Sequence, residues 1–166
     1  MTRALEFLRE QCGKKLILGC GVPVMPAFGL VDYCRVGADV GLDWDDTPLM
    51  RTIHRERVST KQSINNTIYR RQLDGRAYGN DPDVFFLREK NIKLSAERKK
   101  YHAAINALLG SVWLTSDNLN TYDEAKIREY HQLARLREAE KIQIDPDTLT
   151  VRYTLDGTEH ILNYPG

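Results

Sequence analysis

The sequence contains no C-x-x-C pair. Its three cysteines, Cys12, Cys20 and Cys34, form an odd and unpatterned set, which speaks against a disulfide framework and for a reducing cytoplasm. Metal-ligand spacing is absent too. His54, His102, His131 and His160 occur singly along the chain, so core or surface histidines are expected and no metal site. Charge of one sign is not in excess. The 24 basic side chains meet 23 acidic ones, for a formal net charge of +1, and that leaves no electrostatic footprint for nucleic acid. Basic residues gather in "RTIHRER" and "ERKKYH", but they alternate with acids and apolar positions, as solvated helix faces do. No apolar run reaches the roughly 20 residues of a transmembrane helix. In "MTRALEFLREQCGKKL" charges break every apolar stretch before the core of a signal peptide forms. The expectation is a cytoplasmic protein with no cofactor and neither membrane nor nucleic acid as partner.

What is present is ordinary globular material. A chain of 166 residues makes one folded unit that buries roughly two thirds of its unfolded surface. Ala4, Leu5 and Leu8 recur at helical spacing before Gly13 closes a first helix. "KLILGCG" follows as a strand, its apolar run unalternated as in a strand buried on both faces. "FGLVDYC", "NDPDVFFL" and "SVWLTSDNL" read as three more strands. Between them lie helix-length segments: Pro48 to about Gln72, then one opened by Ser95 with a Tyr101, Ile105, Leu108, Leu109 stripe. A last helix is expected from a Thr121–Glu124 capping box to about Glu140. Four strand–helix units in succession imply an α/β fold with a parallel sheet. The end differs. Asp156-Gly157 predicts a two-residue hairpin turn pairing Leu155 with Thr158, Tyr153 with His160 and Val151 with Leu162. The apolar face of that hairpin requires cover from the helical body or from another chain.

Parallel α/β sheets collect chemistry where strands end and loops begin. The residues there are Gly19, Cys20, Gly21 and Pro23, then Asp32, Arg35 and Asp39, then Asn80, Asp81 and Asp83, then Ser116, Asp117 and Asn118. Carboxylates for proton transfer, an arginine for hydroxyl groups and the nearby Trp44 ring suit a sugar pocket. The same residues also suit turns and caps, with Arg35 and Asp39 as a four-apart ion pair.

The stretch "LILGCGVPVMPAFGLVDYCRVGADVGLDW", followed by "NDPDVFFLRE" and "SVWLTSDNL", resembles the α-galactosidases of glycoside hydrolase family 36 from about Lys15 to Asn120. The family's pattern runs approximately G-C-G-x-P-x-x-P-A-x-G-x-V-D-x-x-R-I-G-P-D and ends in tryptophan. The resemblance implies a retaining hydrolase of terminal α-galactosides built on a (βα)₈ barrel with a C-terminal β domain. On it, Asp39 matches the general acid/base and Arg35 a sugar-hydroxyl ligand. Cys20 and Gly21 match the pocket wall, Asp32 a supporting position, and Asn80, Asp81 and Asp83 an architectural motif. Ala38 in place of proline, and "GLD" before Trp44, are departures expected to loosen the loop that aims Asp39.

A retaining glycosidase also requires a nucleophile, its carboxyl group about 5 to 5.5 Å from that of the acid/base. The family's K-x-D motif that supplies it has no counterpart here, since Lys14-Lys15-Leu16 lacks the aspartate. The resemblance thus places residues 1–145 as a parallel (βα) half barrel, strands five to eight of a TIM barrel, and residues 146–166 as a hairpin remnant of the β domain. Such a chain is expected to be inactive or very weak alone. It would act either as part of a hydrolase or as a sugar-binding or interaction module. The open edges of a half barrel call for a homodimer or for a complementing N-terminal half.

Overall fold

The computed structural model describes residues 1–53 and 58–166; residues 54–57, including His54 and most of "RTIHRER", and the Arg51 side chain lie outside the described residues. Helix α1 (Thr2–Cys12) is followed by β1 (Leu18–Gly19), β2 (Tyr33–Arg35), α2 (Pro48–Ile53), α3 (Thr60–Tyr69), β3 (Gly79–Asp81) and β4 (Val84–Phe85). Next come α4 (Ala96–Leu109), β5 (Leu114–Thr115), α5 (Glu124–Ala134), β6 (Glu140–Ile144), β7 (Val151–Leu155) and β8 (Thr158–Leu162). The expected alternation of parallel strands and helices is present. Strands β1, β2 and β3 pair in parallel and in chain order, with Leu18 beside Tyr33, Cys34 beside Asn80 and Arg35 beside Asp81.

The third expected strand is bent. Pro82 has no N–H to give a ladder, and Asp83 takes a left-handed conformation with φ 73°. The run therefore splits: β3 pairs with β2, while β4 turns to pair with β5, Val84 beside Leu114 and Phe85 beside Thr115. The strands are two or three residues long because turns close in on both sides of each. Among its described residues, the segment expected as one helix from Pro48 to Gln72 holds α2 and α3, α3 being capped by the Ser59 hydroxyl accepting from the Gln62 N–H.

Ser95 caps α4 as expected, accepting from the Arg98 N–H. The helix exceeds its predicted stripe, since every residue from Tyr101 to Leu109 is buried. It packs on α3, α5 and β4, and its side chains join Ile64, Ile68, Phe85, Leu133 and Val151 in the main core. Burying one such isoleucine or leucine stabilises the fold by roughly 1.5–3 kcal/mol. A second cluster, Leu5, Ala27, Val31, Cys34, Val36 and Tyr78, sits under β1 and β2.

Two expectations are corrected at the last helix. Asp123, not Thr121, caps α5, its carboxylate accepting from the Lys126 N–H; the Thr121 hydroxyl donates instead to the Asn118 carbonyl. Helix α5 also stops at Ala134, and Glu140–Ile144 forms a strand where the helix end was expected. The terminal hairpin is thus the outer part of a three-stranded antiparallel sheet that begins ahead of residue 146. Its β7–β8 register is the one predicted from Asp156-Gly157, both turn residues having positive φ, 51° and 75°, as a type I′ turn requires. The helical body covers the apolar face. Val151 is fully buried, Tyr153, Leu155, Leu162 and Tyr164 pack on the main core, and the Tyr101 hydroxyl donates to the Leu149 carbonyl at 2.6 Å. Among the described residues no helix is long and apolar enough to cross a membrane.

Candidate functional site

Arg35 is the last residue of β2, and the parallel register sets it beside Asp81, the last residue of β3. Its guanidinium reaches three carboxylates: Nε to Asp81 Oδ2 at 3.0 Å, Nη2 to Asp83 Oδ1 at 3.0 Å and Nη1 to Asp39 Oδ1 at 3.1 Å. Burial opposes the Arg35 charge, but Asp81 and then Asp83 more than offset it and hold the group above the ordinary arginine range. Backbone amides engage the other carboxylate oxygens of Asp81 and Asp83. The Asp83 N–H donates to Asp81 Oδ1 at 2.8 Å, and the Val40 N–H to Asp83 Oδ2 at 2.8 Å. The bend at Pro82–Asp83 is what folds the second aspartate back onto the arginine.

The same hydrogen bonds aim Asp39. Its carbonyl accepts from the Ser59 N–H at 2.8 Å, and its neighbour Val40 is tied to Asp83. Beyond it the Thr60 hydroxyl meets the Gly41 and Asp43 carbonyls, and the Lys61 N–H donates to Trp44 O. Despite Ala38 and the altered "GLD", the loop is pinned at successive points. Gly37 permits the close approach of α3, because a Cβ there would lie 3.2 Å from Ser63 Cα. The Asp39 side chain is left 59% exposed.

Asp39 and Arg35 face a cleft of about 430 Å³ whose wall includes Cys20, Gly21, Ala38 and Arg70. Five of the strand-end residues expected from the sequence therefore meet: Cys20, Gly21, Pro23, Arg35 and Asp39. Arg70, which ends α3, was not anticipated. It donates to the Val36 carbonyl and is held by the buried Asn80, whose side-chain amide donates to the Arg70 carbonyl at 3.1 Å. No motif marks it; only the packing of α3 across the strand ends brings it there. Asn80, Asp81 and Asp83 lie behind the cleft as buried supports.

Two predicted residues lie elsewhere. Asp32 precedes β2, at the opposite end from Arg35, and its Oδ2 accepts from Arg9 Nη2 at 2.6 Å and from the Ile17 N–H at 2.7 Å. The Arg9 guanidinium holds its carboxyl below the usual range, and the residue ties α1 to β1. Trp44 does not line the cleft either. Its ring lies under the Arg98 guanidinium at 4.6 Å and beside Tyr164.

A second cleft, about 510 Å³, opens where β4 and β5 end. Its floor is organised by buried Asp117, whose Oδ2 accepts from the Leu87 N–H at 2.6 Å, the Arg88 N–H at 2.9 Å and the Tyr122 hydroxyl at 2.6 Å. Burial, and next Asp117, push the Tyr122 hydroxyl well above its ordinary range. On the rim Glu89 accepts from Lys99 at 2.7 Å and from Lys126 at 3.1 Å; Lys99 and then Lys126 hold its carboxyl below the usual range.

No family model matches the chain. Among solved structures it is similar to TtGalA, the α-galactosidase from Thermus thermophilus in complex with p-nitrophenyl α-D-galactopyranoside, with a TM-score of 0.78 and 25% identity over 99% of this chain. The stachyose complex of TtGalA matches 81% of the chain at 28% identity and a TM-score of 0.67. The α-galactosidase I from Mortierella vinacea matches 98% at 16% identity, also with a TM-score of 0.67, a likeness of fold alone; it is covered over 46% of its length. The chain spans about a third of the length of TtGalA, 33% and 29% in the two complexes. Its fold is that of a fragment of an α-galactosidase.

Proposed function

We propose that this chain is the acid/base side of an α-galactosidase-like glycoside hydrolase of family 36 type, equivalent to strands five to eight of the barrel. The observation that carries this reading is the exposed Asp39 carboxyl group beside Arg35, at the mouth of a cleft formed where parallel strands end. In a retaining reaction Asp39 protonates the glycosidic oxygen as the bond to the leaving group breaks, then removes a proton from the water that releases the galactose. Arg35 has five N–H groups, so three ion pairs leave donors for a sugar hydroxyl. Cys20 and Gly21 form the wall.

Among the described residues Asp39 is the single carboxyl group lining this cleft, and Asp81 and Asp83 are engaged by Arg35 and by amides. In this reading the nucleophile comes from outside these residues, from a second copy or from a complementing N-terminal half barrel. Leu18 on β1 and Leu114 on β5 are exposed, which supports such a partner at the outer strands. Hydrolysis of p-nitrophenyl α-D-galactopyranoside by the purified chain is expected to be absent or very weak. Activity that disappears in Asp39→Asn establishes that an assembly supplies the second carboxylate. A folded chain that binds galactosides without cleaving them supports the second reading, a non-catalytic sugar-binding module that self-associates. That reading is favoured by the way three carboxylates immobilise Arg35.

A further inference from the structure

We infer that the cleft at the ends of β4 and β5 is a second binding site, for a neutral saccharide ring, separate from the Asp39 cleft. This deepens the carbohydrate reading and rests on it. The argument begins with charge. Lys99 and Lys126 close on Glu89, and Lys126 also meets Glu129 at 2.8 Å. Arg88 faces Asp117. With Lys90 and Asp123 also lining the cleft, four cations (Arg88, Lys90, Lys99, Lys126) stand against four acids (Glu89, Asp117, Asp123, Glu129), so neither an anion nor a cation is drawn in strongly.

What the cleft offers instead is hydrogen bonding beside an aromatic ring. Tyr122 and the Arg88 loop are fixed on the same buried carboxylate, Asp117. The Arg88 guanidinium stacks on Phe86 at 4.6 Å, yet its contacts with Asp117, Ser116 O and Asn91 O all lie at 3.5 Å, too long for strong hydrogen bonds. Its position is set by stacking, and its terminal N–H groups, engaged only by these long contacts, can exchange them for a ligand. Asn91 and Asn118 add planar amides at the rim. A volume of about 510 Å³ falls within the roughly 300–1,000 Å³ of small-molecule sites. With its charges balanced, rich in planar donors and acceptors, and flanked by a fixed aromatic ring, it matches a polyhydroxylated ring.

The test is amide chemical-shift mapping of the whole chain with stachyose and with methyl α-D-galactopyranoside. Stachyose is expected to shift the amides of residues 87–91 and 116–122. Ser116→Trp, which fills the cleft, is expected to abolish those shifts and to leave the response around Cys20 and Asp39 unchanged. Arg88→Ala serves as an independent variant and should weaken the response about tenfold, the effect of losing one charge-assisted hydrogen bond. Shifts confined to the Asp39 cleft overturn this inference and leave the carbohydrate reading standing. No shifts in either cleft overturn both. Identical shifts at residues 87–91 with inorganic phosphate, lost in added salt, would make this an anion site and also overturn the inference.

Discussion

Arg35 and Arg88 stand at the C-terminal side of the parallel strands, and they are used in opposite ways. Three carboxylates surround Arg35 at 3.0–3.1 Å. Arg88 faces one, and that one is satisfied by two backbone amides and a tyrosine hydroxyl before the guanidinium is counted. In the first region ion pairing is the structure: the arginine neutralises buried Asp81 and Asp83, and through them the Asp39 loop is fixed. In the second region backbone amides replace the arginine as the partners of the buried acid. The difference shows how one fold keeps one strand end rigid, to aim a carboxyl group, and another available, to offer donors.

The sharpest way to break the comparison is Arg35→Ala. It leaves Asp81 buried without a counter-charge, a change that costs about 3–5 kcal/mol, read as a lower urea midpoint in circular dichroism. Arg35→Lys should recover only part of the loss, because an ammonium cannot span three carboxylates with the geometry of a planar fork. A loss below about 1 kcal/mol in Arg35→Ala would mean that the aspartates do not depend on it, and the contrast with Arg88 would fall.

The next effect is set by α4, which backs the second region. His102 is fully buried on it, and among the described residues neither ring nitrogen has a hydrogen-bond partner. Burial lowers its pKa to about 4. The unfolded chain binds this proton near pH 6.5 and the folded chain does not until about 4, so stability present above pH 6.5 is lost as pH falls through that window. At pH 5 the loss is about 2 kcal/mol. Comparing urea unfolding at pH 7 and pH 5 measures it, and His102→Leu should remove most of the difference. An unchanged pH dependence in that variant would show that His102 has a partner or reaches solvent.

Much of the fold was legible because it is written in local chemistry. Asp156-Gly157 fixes a turn whose register follows from counting, Ser95 caps a helix, and glycines end the first helix and strand. The Arg35–Asp39 pair was legible for the same reason, four residues apart. The Arg35 contacts with Asp81 and Asp83 were not, because they span more than forty positions and depend on a bend at Pro82 that reads as a turn opening one continuous strand. The β6 strand was missed although Ile142 and Ile144 alternate with polar residues, since the charged run before them continues the helix pattern. Asp32 and Trp44 lie outside the cleft lining, since nearness in sequence to Arg35 says nothing about which end of a strand, or which neighbour, a side chain meets. Asp117 was visible as a strand-end acid, but its partners, Leu87, Arg88 and Tyr122, appear only once β4 and β5 pair.

The smaller effects sharpen the contrast from the other side. Arg88→Ala leaves Asp117 with three hydrogen bonds and removes a stacking contact worth roughly 0.5–1 kcal/mol, so its midpoint should fall several-fold less than that of Arg35→Ala. Asp39→Asn should change least. The carboxyl group is more than half exposed, its pair with Arg35 spans four residues, and exposed pairs of that kind contribute about 0.3–0.5 kcal/mol. The loop is held by the Asp39 carbonyl and the Val40 N–H, which the substitution leaves in place, and asparagine keeps the size of the side chain. Asp39→Asn therefore separates chemistry from folding: with an unfolding midpoint close to that of the parent chain, any activity it removes is removed at the reacting proton. A large drop in midpoint would instead show that Asp39 belongs to the charge cage around Arg35, as Asp81 does, and is not free to act on a substrate.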